Sequence, residues 1–135
     1  MKKVLRFLFA TSMLASALAS GCGVCVEDRM AAVYDHEVVT RALNDGHQVV
    51  FTDVSGPQLP TPAQRHVLAR AAQSVGGVIR GSVRTSESPP AMSFAIDAKA
   101  TAPANAIIEI NQRISKQPIR VSLIRALGNP ERRAR

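Results

Sequence analysis

The chain has 135 residues and 14.4 kDa, room for one domain. It is 46% hydrophobic and 20% charged, with no Trp, one Tyr and four Phe, so its core must be mainly aliphatic. That composition argues against a nucleic-acid surface built on aromatic stacking. The net charge of +7 sits largely at the ends, in Lys2, Lys3 and Arg6 and in the tail Arg132, Arg133 and Arg135 beside Glu131.

Residues 1–19 read as a secretory signal. Lys2, Lys3 and Arg6 form a basic start, an apolar run follows through Leu14 and Leu18, and Ala17-Leu18-Ala19 is a small-x-small cleavage site. The apolar run is shorter than the roughly 20 residues a membrane span needs. Export to the periplasm or beyond is therefore expected, with Ser20 as the first mature residue. A second cleavage competes. Leu18-Ala19-Ser20-Gly21-Cys22 resembles a bacterial lipobox, which would make Cys22 an acylated N-terminus and leave a membrane-anchored lipoprotein.

From Cys25 onward the periodicity predicts one amphipathic helix through Ala42. Glu27 and Asp28 lie in its first turn, and Asn44-Asp45-Gly46 ends it. The β-branched run His47 to Val54 predicts a strand, and Ser55 to Pro62 a loop. Thr61 caps the next helix with Pro62 in its first turn; Val67, Leu68, Ala71, Ala72 and Val75 face inward, and Gly76-Gly77 closes it. Val78 to Arg84 alternates as a strand, Ser86 to Pro90 connects, and Met92, Phe94 and Ile96 form the inner face of a third strand. Thr101 to Ser115 is a helix with Ile107, Ile110 and Ile114 inward, and Ile119, Val121 and Leu123 belong to a last strand.

The order β-α-β-β-α-β after a leading helix predicts an α+β, ferredoxin-like fold, a four-stranded antiparallel sheet with two helices on one face and the other face wet. The chain then divides into a signal at 1–19, a Cys-pair segment with its helix at 20–46, the sheet domain at 47–127 and a basic tail at 128–135. On the wet face Arg80, Arg84, Arg120 and Arg125 would form a basic stripe able to meet an acidic partner or anionic headgroups.

Chemistry concentrates in Cys22-Gly23-Val24-Cys25. Two thiols three apart at a helix start can reach each other or one ion, and the positive helix end stabilises thiolate. Thiolates suit soft metals, Cu(I) foremost, and they also exchange disulfides. In an oxidising compartment a Cys22–Cys25 disulfide is the default. Metal ligation, structural disulfide, redox cycling and lipidation of Cys22 all remain open on spacing alone. His47, past the Gly46 break, is a candidate third ligand, and Met30 a remote one. His36 follows Cys25 by 11 residues, about 16 Å along an intact helix, too far to share an ion. No Gly-rich phosphate loop, Gly-x-Ser-x-Gly elbow or His-Glu-x-x-His occurs, and Asp28, Asp35, Asp53, Asp97 and Glu109 are scattered, so no enzyme is expected.

Val49 to Gly56 leading into a loop and helix, Val75-Gly76-Gly77-Val78 at the end of that helix, and Phe94-Ala95-Ile96-Asp97 before the next resemble the heavy-metal-associated domain of copper chaperones and metal-transport ATPases over about 47–127. That family carries a C-x-x-C in the loop between first strand and helix, whereas Ser55 to Pro62 here has no Cys. The resemblance implies a copper-handling protein with a metal-donor or metal-acceptor partner and no nucleic acid, the metal falling to Cys22 and Cys25. The alternatives are a non-catalytic interaction module, disulfide-stapled or lipid-anchored through Cys22, and an accessory thiol–disulfide redox protein.

Overall fold

The computed structural model describes residues 25–128. Four helices and four strands follow in the order α1 (Val26–Ala32), α2 (His36–Asn44), β1 (Gln48–Ser55), α3 (Pro62–Gln73), β2 (Arg84–Glu87), β3 (Pro90–Ile96), α4 (Pro103–Arg113) and β4 (Arg120–Leu127). The strands form one antiparallel sheet in the order β2-β3-β1-β4, the ferredoxin-like arrangement. Among the described residues no helix is long and apolar enough to cross a membrane.

One face of the sheet is covered as expected. Val50 and Val54 of β1, Met92, Phe94 and Ile96 of β3, and Val121 of β4 pack against Leu68, Ala71 and Ala72 of α3 and Ile107 and Ile110 of α4. Alternation in the strands and 3.6-residue spacing in the helices put these residues together. Thr61 takes the Gln64 N–H on its hydroxyl while the Gln64 side chain returns to the Thr61 N–H, a complete capping box. Val67 and Leu123, expected inward, are 38% and 49% exposed.

The other face is not wet. Val49 and Phe51 of β1 and Ala91 and Ala95 of β3 form a second buried cluster with Val33, Val39 and Ala42 from the N-terminal segment. Small residues at 91, 93 and 95 let helices approach the sheet closely, so α1 and α2 close this face and the molecule has three layers. The helix expected over 26–42 is accordingly two. Val33 is buried, its carbonyl accepts the Ser93 hydroxyl at 2.7 Å, and Asp35 N-caps α2 by accepting the Val38 N–H at 3.1 Å. Tyr34, between the helices, stacks on Phe51 with centroids 6.4 Å apart.

The second strand also moves. The expected strand over 78–84 is mostly a turn, and β2 pairs with β3 only from Arg84. Gly77 and Gly81 hold φ of 93° and 78°, which an extended strand does not allow. Ser82 tightens the turn, donating to the Ile79 carbonyl and accepting the Ala95 N–H.

Candidate functional site

The direction of α1 locates the cysteine. Arg29 Nε lies 3.2 Å from Asp53 Oδ1, near the end of β1. Four residues later the Val33 carbonyl meets Ser93, which is in register with Phe51 in the middle of β1. α1 therefore runs antiparallel to β1. One turn back from Arg29, the Cys25 carbonyl accepts the Arg29 N–H at 3.2 Å, so Cys25 projects past Asp53 toward the Ser55–Gly56 end of the strand. Its thiol is free and exposed.

A cleft of about 410 Å³ opens there, lined by Arg29 and Asp53 on one side and Gly56, Pro57, Gln58 and Leu59 on the other. The loop lies close to the α4–β4 turn because Gly56 has no side chain; a Cβ there would stand 2.7 Å from the Pro118 carbonyl oxygen. Leu59, in the cleft's lining, is 53% exposed; Val26, next to Cys25, is 41% exposed, and neither Val26 nor Cys25 lines the cleft. Cys22, the other half of the pair, lies outside the described residues. So do the signal, the lipobox and the basic tail beyond Gly128.

The histidines are elsewhere. His47 precedes the first residue of β1, whereas Cys25 lies beyond the last; a strand of eight residues separates them by roughly 23 Å. One ion cannot bind both, and His47 does not fold back toward Cys25. It is half-buried, with Nδ1 inaccessible and unpartnered, beside Arg41, Asp45, Arg80 and Ser82 in a cavity of about 50 Å³. His36 opens α2, and His66 is exposed on α3. Met30 packs against the second core cluster, turned to the sheet. Among the described residues no three His, Cys, Asp or Glu side chains converge on a metal-sized site.

The basic stripe also dissolves. Arg84 is spent on Asp35, donating from Nε at 2.9 Å. The N-cap bond from Val38 and the guanidinium of Arg84 hold the Asp35 carboxyl below its ordinary value. Arg80 lies on the turn beside α2, while Arg120 and Arg125 stand exposed on β4 at the opposite edge.

Sequence reasoning missed Arg29 and Asp53. The spacing of Cys25 and Arg29, one helical turn, was the available signal for the first. Asp53 offered none, because its proximity arises only when α1 lies along β1.

No protein-family profile and no curated protein sequence matches the chain. Among solved structures, the crystal structure of a copper-binding domain from HMA7, a P-type ATPase, is similar over 58% of this chain and 96% of that one. The identity is 13% and the TM-score 0.49.

Proposed function

We propose that this is an exported, non-catalytic carrier of a soft metal ion, Cu(I) by preference, held by the thiolates of Cys22 and Cys25. The observation that carries the reading is the placement of Cys25: exposed, one turn before Arg29, at the start of a helix held to the sheet through the Arg29–Asp53 ion pair. An ion there is open to a donor or acceptor protein and can leave by ligand exchange. Ligand count favours Cu(I), since a thiolate pair can satisfy it in two-coordinate geometry. Structural Zn²⁺ asks for four ligands, and among the described residues no three His, Cys, Asp or Glu side chains gather at one site.

The test is anaerobic titration of the reduced mature chain with Cu(I) against the chelator bicinchoninate. A single equivalent should bind, and Cys25→Ser should abolish binding while leaving the circular dichroism unchanged. Binding that survives Cys25→Ser overturns the proposal. So does a mature mass beginning at an acylated Cys22, which removes one thiolate and leaves a lipid-anchored interaction module.

A further inference from the structure

The cavity beside His47 is walled by α2 on one side and by the turn before β2 on the other. Its floor is apolar, made of Val38 and Ala42 from α2, Ile79 from the turn and Ala95 from β3. Polar groups within that floor bond to one another. The Ile79 N–H donates to the Ala95 carbonyl at 2.9 Å, the Ala95 N–H to the Ser82 hydroxyl at 3.0 Å, and that hydroxyl to the Ile79 carbonyl at 2.6 Å. His47 Nδ1 is the exception, shut off from solvent and without a partner. A buried polar atom left so is costly, and native proteins keep few of them. The cavity's volume of about 50 Å³ exceeds what one water needs, yet a water on that floor would meet the ring nitrogen and little else, where a buried water takes about three hydrogen bonds. The rim carries charge of both signs. Arg80 on the turn and Asp45 at the C-cap of α2 are exposed and enter none of the ion pairs among the described residues. Arg41, also on the rim, is held by Glu37, and that pair adds no net charge. A simple anion would therefore be opposed by Asp45, and a simple cation by Arg80.

We propose that this cavity binds a small zwitterionic α-amino acid with an apolar side chain. The carboxylate lies against Arg80, the ammonium against Asp45, and a side chain of a few carbons at most enters the floor. A zwitterion brings an acceptor and a donor together, and His47 Nδ1 can pair with either, since a neutral imidazole nitrogen donates or accepts according to tautomer. Each polar group that the cavity leaves idle is thereby used. The site lies at the opposite end of β1 from Cys25, so it stands or falls apart from the metal reading.

Titration of the mature chain with L-valine, followed by amide chemical shifts, tests the proposal. Saturable shifts confined to Val38–His47 and Ile79–Ser82 are expected. Isovalerate, which lacks the ammonium, and isobutylamine, which lacks the carboxylate, should each bind about fivefold more weakly or worse. Arg80→Gln and Asp45→Asn should each weaken valine by about three- to fivefold, the scale of a solvent-exposed charge pair. His47→Leu should abolish valine binding yet melt no lower than wild type, because deleting an unpartnered buried nitrogen takes no hydrogen bond from the fold. His47→Asn, which returns a polar atom near the place of Nδ1, should restore part of the affinity and keeps the test open if the Leu variant fails to fold. Isovalerate binding as tightly as valine overturns the proposal in favour of a plain anion contact at Arg80. Valine binding that is indifferent to Asp45→Asn or to both His47 variants overturns it too. The absence of saturable shifts with valine overturns it outright, leaving a cavity that holds water only.

Discussion

Asn111 shows how much one side chain can settle. From α4 it donates Nδ2–H to the Val121 carbonyl at 2.8 Å and accepts the Val121 N–H on Oδ1 at 2.9 Å. It thus takes the place of a fifth strand at one position of the edge strand β4, where unpaired backbone groups would invite another chain. Asn111→Ala should lower the unfolding free energy by about 1–2 kcal/mol, the usual cost of stranding hydrogen-bonding groups. Asn111→Asp, which keeps the acceptor and loses the donor, should fall between; urea unfolding of the three proteins checks the order. A sequence shows Asn111 only as a polar residue in a helix, because its partner becomes its neighbour when β4 returns beside α4. Asp35 is similar: periodicity ran a helix through it, and the structure makes it a cap and the partner of Arg84. Its carboxyl is held below the ordinary value, chiefly by the Val38 N–H and then by Arg84. A carboxylate with depressed folded pKa contributes stability that is complete above its unfolded pKa and lost as pH falls through the folded one. Asp35→Asn should therefore be less stable near neutrality and flatter through the acid range, as measured by thermal melts from neutral pH down to pH ~3.

At the scale of elements, what was legible depended on whether the determining contact was local. The start of α3 could be read to the residue because Thr61 and Pro62 set it locally, whereas its end comes at Gln73, short of the expected Gly76-Gly77. The inner faces of β3 and α4 could be read because their periods match their structure. The split of α1 from α2 could not, since Val33 turns inward to reach Ser93, sixty positions away. The same applies to the covering of the second sheet face. Ala91, Ser93 and Ala95 alternate against larger residues and read as a solvent face, but small size serves close helix packing equally well. Ala95 is fully buried and lies beside Val38 and Ala42 of α2. Ala95→Leu should consequently cost about 1–3 kcal/mol by overpacking, and it should speed amide exchange in α2 before that in α3. On a solvated sheet face the same substitution would change little. The candidate site was half legible in this sense: the thiol pair is visible as a motif, while the placement of Cys25 beyond the Asp53 end of β1 follows from the packing of α1.

For the whole molecule, the decisive feature is a sheet buried on both sides. The cluster between the sheet and α3/α4 holds most of the large side chains, and that between the sheet and α1/α2 contains Phe51, Val49 and several alanines. A domain drawn from residue 47 onward keeps the first cluster and uncovers the second. Burying a Phe or Val side chain is worth about 1.5–3 kcal/mol each, so exposing Phe51 and Val49 alone removes a large part of the roughly 5–15 kcal/mol that holds a domain folded. It also takes away the Arg29–Asp53 and Asp35–Arg84 ion pairs that join the N-terminal helices to the sheet. A fragment of residues 47–128 should therefore melt well below one of residues 25–128, bind an apolar dye and elute as an associated species, whereas the longer fragment should be monomeric and silent to the dye. Size-exclusion chromatography with dye fluorescence distinguishes the two. A 47–128 fragment that is monomeric, dye-silent and as stable as the longer one would mean that α1 and α2 are an appendage. The cysteine pair would then be tethered to the domain without being positioned by it, and the orientation of Cys25 toward the loop would lose its physical basis.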